Sequence, residues 1–358
     1  MKKLLLILSV LFAHNSFAQF IGDGFYRVQN ISTERYLTVV DTRASVNMNT
    51  NEPDLAAILP IRSFEKIVGN PASVIYIDNV SGNNYSLRAQ NVDSYDLLGL
   101  YLHLKSRGEN SYYAYATASG MTKYLCDEAS GNDDGWLMTG TANRNWRLLP
   151  IDPSKDSYLA AMPEYESDGF YYTTMYAAFP FKAYSEGVKM YYISDVLNNV
   201  AIISELDGNF ASTLTPVIIQ CASANYSDNR LDVLTSGGTK LSKNCLGGVL
   251  FNNSNKKHLN RVAYDPNTMR VLGKMADGTI GFITADIDYL PANKAYLKVP
   301  AGSAAEIRIM TKGEYETNIS NITSDSNANK VYYDLSGRRT AKLTNGIYVS
   351  VDGRKICK

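Results

Sequence analysis

Histidine is the scarcest residue in this sequence that could carry acid–base or nucleophilic chemistry. The 358 residues include three His and four Cys, against 26 Tyr. A nucleophile activated by histidine would need His103 or His258 beside a Ser or Cys. His103 alternates with apolar residues, which indicates a solvent-facing strand position, and His258 follows two lysines in a polar stretch. We therefore assign no catalytic residue of this kind.

Paired carboxylates are the remaining route to hydrolysis. Glu164 and Glu166 form one such pair, and Asp286 and Asp288 form another. On a strand, residues two apart project from the same face, and two carboxylates can cleave a glycosidic bond. Such pairs are also common on solvated strand edges. A secreted carbohydrate-active hydrolase that uses carboxylates of the central domain is therefore an alternative, and whether the protein is an enzyme stays open.

A polar turn at residues 130–136 favours binding instead. It contains Asp133 and Asp134 and ends at Trp136, one of only two Trp. An exposed indole can stack on a sugar ring while carboxylates accept hydrogen bonds from its hydroxyls. The other interpretation is a turn that anchors Trp136 in a core. We name Asp133, Asp134 and Trp136 as candidate ligand-binding residues.

The cysteines show no metal-site or redox spacing. No pair among the four (Cys126, Cys221, Cys245 and Cys357) has the C-x-x-C arrangement. We predict no metal site and no cofactor. In an oxidising compartment Cys221 and Cys245 could form a disulfide; isolated buried thiols are the alternative.

Overall charge and hydropathy limit the partners. The 35 acidic and 35 basic side chains give zero formal net charge, which argues against nucleic acid. After the first residues no apolar run approaches 18 residues, so we predict no transmembrane segment.

Residues 1–18 have the pattern of a secretory signal peptide. Two lysines precede an apolar run of about ten residues, and small residues occupy the positions before Gln19. Cleavage near Ala18 predicts a protein that is secreted or displayed on the outer cell surface.

Three similar segments follow, each of which predicts a β-hairpin. Residues 26–37, 76–87 and 113–125 read as strand, polar turn and strand, with the second tyrosine at positions 36, 85 and 124. Residues 53–68 interrupt this β pattern and indicate an insertion, with a short helix after Ser63.

These repeats, together with the closing segment 143–148, resemble a ricin-type β-trefoil. The resemblance implies a trefoil-like domain over residues 19–152. The family closes its repeats with Gln-x-Trp, whereas here Arg144 stands in place of the Gln before Trp146. Because Trp146 occupies the repeat-closing position, we predict that it lies in the core. The acid that binds sugar in the family is replaced by Thr38 and Cys126.

The central part predicts a second all-β unit. Prolines punctuate residues 153–168, which we predict to be a linker. Short strands at residues 187–193, 200–203, 215–219, 278–283 and 295–299 favour an antiparallel β-sandwich over residues 169–315. Hairpin turns are predicted at 207–208, 237–238 and 277–278. Residues 214–219 and 290–297 resemble a β domain that recurs in bacteroidete-type surface proteins.

The C-terminal part predicts a flexible linker and a small β tail. Residues 316–329 contain little apolar surface to bury. Residues 330–358 resemble the C-terminal sorting domains of the bacteroidete type IX secretion route, which implies the export machinery as a partner. A tail that docks on the sandwich is the alternative.

The overall prediction is an all-β, non-catalytic binding or adhesion protein at the cell surface, with a glycan or glycoprotein as its ligand. The alternatives are the hydrolase and a structural surface component that has no small ligand.

Overall fold

The computed structural model confirms that the chain is all-β. It describes residues 21–38, 43–46, 53–58, 69–82, 84–92, 102–118, 121–127, 137–138, 143–250, 262–318, 332–334, 338–340, 347–350 and 355–357. Within these ranges residues 312–318 form a short α-helix. No helix in them is long and apolar enough to cross a membrane.

The N-terminal part is a single antiparallel sheet and a separate hairpin. Its strands are β1 (Gly24–Asn30), β2 (Arg43–Val46), β3 (Pro53–Ile58), β4 (Ile75–Ser81), β5 (Asn84–Ala89), β6 (Leu102–Gly108), β7 (Ser111–Ala118), β8 (Met121–Leu125), β9 (Leu137–Met138) and β10 (Asn145–Pro150), with a 3₁₀ turn at Pro71–Ser73. Strands β2 and β3 pair with each other, so residues 53–58 form a strand. The helix predicted after Ser63 lies outside the described residues.

Six of these strands close into a ring. The order is β10-β1-β4-β5-β6-β7, and β7 pairs again with β10. We call this ring the barrel. Alternate residues point inward and form its core, including Val28, Ile77, Leu87, Leu104 and Trp146. Trp146 is fully buried, as the sequence predicts, and its indole N–H donates to the Leu125 carbonyl (3.2 Å).

The three predicted hairpins are present, but the barrel relates them differently. Residue 36 bridges to β1, β4 pairs with β5, and β7 pairs with β8. Tyr26, Tyr85 and Tyr112 all lie in the barrel core, on β1, β5 and β7, and the rings of Tyr85 and Tyr112 are 5.8 Å apart. By its place in the barrel core, Tyr85 therefore corresponds to Tyr26 and not to Tyr36, the residue with which the sequence pattern aligns it.

The central part contains two further sheets. Its strands are β11 (Leu159–Ala160), β12 (Tyr165–Ser167), β13 (Phe170–Met175), β14 (Phe181–Ala183), β15 (Lys189–Leu197), β16 (Val200–Glu205), β17 (Phe210–Ala211), β18 (Val217–Cys221), β19 (Arg230–Val233), β20 (Leu246–Val249), β21 (Met269–Lys274), β22 (Ile280–Ile283), β23 (Lys294–Lys298) and β24 (Glu306–Thr311), with 3₁₀ turns at Asp207–Asn209 and Tyr226–Asp228. One sheet has the order β11-β19-β14-β17, and the other β12-β13-β18-β15-β16-β24-β22-β21-β23-β20.

The five predicted central strands are present, with one departure from antiparallel pairing. Strands β16 and β24 pair in parallel. Of the three predicted turns, Asp277-Gly278 joins the hairpin β21–β22, where Gly278 adopts a φ of +85°. Asp207-Gly208 lies in a 3₁₀ turn between strands of different sheets, and Gly237-Gly238 joins no hairpin.

The larger sheet curls so that β13 lies close to β23. We call the contact between these two strands the seam, and it is held by hydrogen bonds that do not belong to the strand ladder. The Thr174 hydroxyl donates to the Ala295 carbonyl (3.3 Å) and accepts from the Ala295 N–H (3.2 Å), while the Tyr176 N–H donates to the Asn293 carbonyl (2.9 Å).

The predicted linker at residues 153–168 is structured. It forms β11 and β12, and Leu159 is fully buried. On β1, Tyr26 and Val28 point into the barrel, whereas Phe25 packs on the central sheets, 5.4 Å from the ring of Phe179. The barrel and the central sheets therefore share an apolar core.

Arg27 also joins these two parts. It lies on the same side of β1 as Phe25 and donates to the carbonyls of Ser157 (3.3 Å) and Tyr158 (2.7 Å) and to the Ser73 hydroxyl. Burial lowers the pKa of Arg27 to about 10, so the side chain remains charged at neutral pH.

The C-terminal residues form a sheet of their own. Its strands are β25 (Tyr332–Asp334), β26 (Arg339–Thr340), β27 (Ile347–Ser350) and β28 (Lys355–Cys357), in the order β26-β25-β27-β28. No strand in the described part of the chain outside this sheet pairs with it. Most of the predicted linker 316–329 lies outside the described residues, and residues 316–318 belong to the helix.

Candidate functional site

The outer surface of the barrel carries a group of aromatic side chains on β6, β7 and β8. Strand alternation explains their position, because Tyr112 and Ala114 point into the core while Tyr113 and Tyr115 point outward. Tyr124 on β8 lies directly opposite Tyr115. All three outward tyrosines are half-buried, so part of each side chain reaches solvent.

The rings form a continuous ladder. The centroids of Tyr113 and Tyr124 are 5.6 Å apart in an edge-to-face arrangement, and those of Tyr115 and Tyr124 are 6.3 Å apart. The ring of His103, on β6, extends the row at 5.7 Å from Tyr115. Edge-to-face packing is a favoured arrangement of aromatic rings and is present between Tyr113 and Tyr124, whereas the other two pairs are tilted.

Two arginines border this ladder. The guanidinium of Arg107 lies 4.9 Å from the centroid of Tyr113. That of Arg144 lies 4.7 Å from Tyr113 and 5.1 Å from Tyr124. We call the set of Tyr113, Tyr115, Tyr124, His103, Arg107 and Arg144 the tyrosine face.

Backbone geometry holds Arg144 in place. Asn143 adopts a φ of +57°, and its carbonyl accepts from the Asp127 N–H (3.1 Å). The Asn143 side chain in turn donates to the Asp127 carbonyl (3.1 Å). This double contact fixes the residue that precedes Arg144, at the entry to β10.

No acid in the described part of the chain pairs with either arginine of the face. Asp127 is close in sequence to Tyr124, but its buried carboxylate pairs with Arg35, whose Nε donates to it at 2.8 Å, and accepts from Thr33. Asp127 is therefore committed to an internal ion pair. It cannot serve as a sugar-binding acid without breaking that pair.

The sequence-predicted ligand residues are not described. Asp133, Asp134 and Trp136 lie outside the described residues, in the connection between β8 and β9. His258 also lies outside them. His103 is half-buried at the edge of the tyrosine face, and burial lowers its pKa.

The carboxylate pairs considered for hydrolysis are engaged or exposed. Glu164 pairs with Lys294 (2.9 Å) and accepts from Thr173 (2.9 Å). Glu166 faces a different lysine, Lys274, at 3.7 Å. Asp286 and Asp288 are exposed in a loop, so strand alternation does not align them.

Two further acids, Asp152 and Asp232, have pKa values that are shifted in opposite directions. Burial raises the pKa of Asp232, and Asp152 contributes further to that rise. Hydrogen bonds from Ser154 lower the pKa of Asp152. Neither acid lines either of the two cavities described below.

The central sheets contain two hollows. A largely apolar cavity of about 330 Å³ lies at the seam, lined by Tyr165, Leu272, Tyr296 and the Glu164–Lys294 pair. A wider groove of about 890 Å³ runs beside the helix 312–318, lined by Tyr172, Tyr191, Gln220 and Arg308. Burial raises the pKa of Tyr191 to about 12, so that phenol stays protonated at neutral pH.

Cys221 and Cys245 are free thiols that lie in different apolar clusters, and Cys126 is buried in the barrel part. Burial raises the pKa of Cys221 to about 12, which leaves it a poor nucleophile. No group of three or more His, Cys, Asp or Glu in the described residues could hold a metal ion.

Comparison with known proteins adds no relative. No protein-family model, curated protein or solved structure matches the chain.

The tyrosine face contains none of the ligand-binding residues predicted from the sequence. The available signal is the run Tyr112-Tyr113-Ala114-Tyr115. A small Ala114 marks the crowded inner face, so Tyr113 and Tyr115 belong to the outer one.

Proposed function

We propose that the protein is a non-catalytic binding or adhesion protein that holds a glycan on the tyrosine face. The observation that carries this proposal is the ladder of three outward tyrosines, with neighbouring rings 5.6 and 6.3 Å apart.

Sugar chemistry fits such a surface. A pyranose ring presents C–H groups on its faces, which pack on an aromatic ring, and hydroxyls at its edge, which hydrogen-bond to phenol and guanidinium groups. Tyrosine provides both an apolar body and a polar tip. A row of rings also lets successive sugar units bind side by side. This favours a chain-like glycan over a single sugar.

The finer fold proposal is a β-trefoil followed by a β-sandwich. The closed ring of β1, β4, β5, β6, β7 and β10 supports the trefoil, since paired strands lie within two of its three long connections, β2–β3 and β8–β9. The third connection lies largely outside the described residues. The sandwich is supported by one apolar cluster that includes Phe181, Leu231, Val217 and Ile219, from both central sheets.

Secretion to the cell surface or medium is part of the same proposal. Its support is the signal-peptide pattern of residues 1–18 and the resemblance of residues 330–358 to a sorting domain. A separate C-terminal sheet is compatible with that role.

The test is a glycan array probed with the purified protein, followed by affinity measurements on the best ligand. We expect the double variant Tyr113→Ala/Tyr124→Ala to bind at least tenfold more weakly with an unchanged melting temperature. Tyr184→Ala is the matched control, because Tyr184 is an exposed tyrosine (53%) on the central sheets. Equal binding by all variants, or no binding by the wild type, contradicts the proposal.

Trp136→Ala tests the predicted turn separately. Weaker glycan binding without lost stability would extend the site to that turn, whereas lost stability would make Trp136 a core residue.

A hydrolase that uses carboxylates of the central domain is the second candidate, because Glu164 lines the cavity at the seam. Activity on model glycosides that disappears in Glu164→Gln, with binding retained, would favour it over the binding protein.

A further inference from the structure

We propose that the ligand of the tyrosine face is an anionic glycan, one that bears sulfate or carboxylate groups. This proposal rests on the glycan-binding function above and adds the chemical class of its ligand. Its basis is the pair of arginines, Arg107 and Arg144, that flank Tyr113 on the outer surface of the barrel.

Among the described residues, no protein acceptor contacts either guanidinium group. Neither Arg107 nor Arg144 pairs with an acid or donates to any oxygen in the described part of the chain. Each guanidinium lies over an aromatic ring and carries five N–H donors in its own plane. No described residue uses these donors, so we expect them to bind a group outside the protein.

The other arginines differ in this respect. In the barrel and the central sheets, each remaining arginine with a described side chain donates to a protein oxygen or faces a carboxylate: Arg27, Arg35, Arg88, Arg147, Arg230, Arg270 and Arg308. The two exceptions meet on one tyrosine ring.

Among the described residues around the tyrosine face the charge is positive, although the whole chain has zero formal net charge. Lys105 is exposed on β6, two residues before Arg107. Glu109, in the turn after β6, is exposed and pairs with neither arginine, and Asp127 is neutralised by Arg35. Because the formal net charge of the whole chain is zero, this positive surface is a local feature rather than a general basicity.

The geometry suits an acidic sugar. Because both guanidinium groups lie over the ring of Tyr113, a sugar beside that ring would meet their N–H donors, and a guanidinium matches carboxylate and sulfate oxygens through two parallel hydrogen bonds. Since the arginines are already ordered by the aromatic rings, less side-chain entropy is lost on binding. The ladder supplies stacking and the arginines supply selection for charge.

The experiment compares three polymers by biolayer interferometry: chondroitin sulfate, desulfated chondroitin, which keeps its carboxylates, and neutral dextran. We expect the wild type to prefer the charged polymers, and Arg107→Gln/Arg144→Gln to lose at least tenfold in affinity for them. The lysine variants should retain part of the affinity, because the charge remains. Arg338→Gln, an exposed arginine of the tail, is the matched control, and melting temperatures verify folding.

Each outcome decides one of the two proposals. If dextran binds as well as the charged polymers, or if the double Gln variant binds like the wild type, the anionic class is wrong while glycan binding stands. If no glycan binds on the array or here, the proposed function fails. Duplex DNA serves as a further probe. Equal binding to DNA and chondroitin sulfate would indicate a general polyanion site and overturn the glycan assignment.

Discussion

At the scale of single residues, β7 shows how one strand can serve a core and a surface at once. Its inward residues, Tyr112 and Ala114, lie in the barrel core, whereas the outward Tyr113 and Tyr115 form the ladder. Tyrosine occupies both faces of β7, so the role of each tyrosine depends on whether its position along the strand points inward or outward. A shift of one residue would bury the ladder and expose the core.

His103 provides a pH-dependent reporter of this surface. Burial holds its pKa below the usual 6.5, and its cross-strand neighbours are Ser86 and Tyr115, with Lys105 two residues along the same strand. The unfolded chain therefore takes up this proton at a higher pH than the folded chain. The titration of His103 should leave the free energy of unfolding unchanged above about pH 6.5 and should lower it as the pH drops towards the folded pKa.

Two measurements test the behaviour of His103. An NMR titration of His103 should have its midpoint below pH 6.5. Urea unfolding at several pH values should show a free energy of unfolding that falls with decreasing pH, and His103→Gln should reduce this dependence. A midpoint at or above 6.5 would contradict the predicted direction.

Residue identity predicted part of this site. The sequence places Trp146 in the core because it closes the last repeat, and the structure confirms this. The sequence also marks Arg144 as unusual, since the family that the repeats resemble has Gln at this position. What it leaves out is that Arg107 and Arg144, 37 positions apart, converge on one tyrosine. That contact depends on barrel closure between β7 and β10, which no local pattern encodes.

At the scale of elements, strands with a clear period were predictable and very short ones were not. The hairpins β4–β5 and β7–β8 follow from alternation and polar turns. Strands β11 and β12 have two and three residues, too few to show a period, and prolines nearby favour a linker. Strand β11 pairs with the distant β19, whereas β12 forms a hairpin with the adjacent β13. The parallel pair β16–β24 is likewise set by the sheet as a whole.

The seam of the curled sheet gives a test at this scale. Thr174→Val removes the hydroxyl that donates to and accepts from Ala295, and it leaves that N–H and carbonyl without this partner. Because both groups are buried, we expect a loss of about 1–3 kcal/mol in the free energy of unfolding.

Chemical denaturation measures this loss. Thr122→Val is the control, since Thr122 is exposed on β8 and the β-branched shape is kept in both variants. An equal, small change in the two variants would mean that the side-chain bonds do not hold the seam.

At the scale of the whole molecule, the barrel and the central sheets are joined by burial. Phe25 packs against Tyr76 of the barrel (5.1 Å) and Phe179 of the central part (5.4 Å), and Arg27 bonds to the carbonyls that precede β11. The Gln90 side chain accepts from the Ala178 N–H (3.1 Å). Parts connected in this way should unfold together.

Calorimetry tests this coupling. We expect one cooperative transition for the barrel and the central sheets. Phe25→Ala should lower the free energy of unfolding by about 3–5 kcal/mol and shift the whole transition to a lower temperature. Phe170→Ala is the control, because Phe170 is half-exposed (50%). Two separate transitions, of which only one moves, would show that the shared core does not couple the two parts.

The tail stands apart from this shared core. Its four short strands pair only among themselves within the described residues, so we expect the sheet to bury little apolar surface alone and to be stabilised by a partner. If that partner is the export machinery, deletion of residues 328–358 in the native host should leave a folded protein in the periplasm. The purified truncated protein should keep the melting temperature and glycan binding of the full chain, since the tyrosine face and the Phe25 core lie elsewhere. Cell fractionation measures the location. Normal release of the truncated protein would contradict the export role, and a lower melting temperature would instead make the tail a stabilising part of the fold.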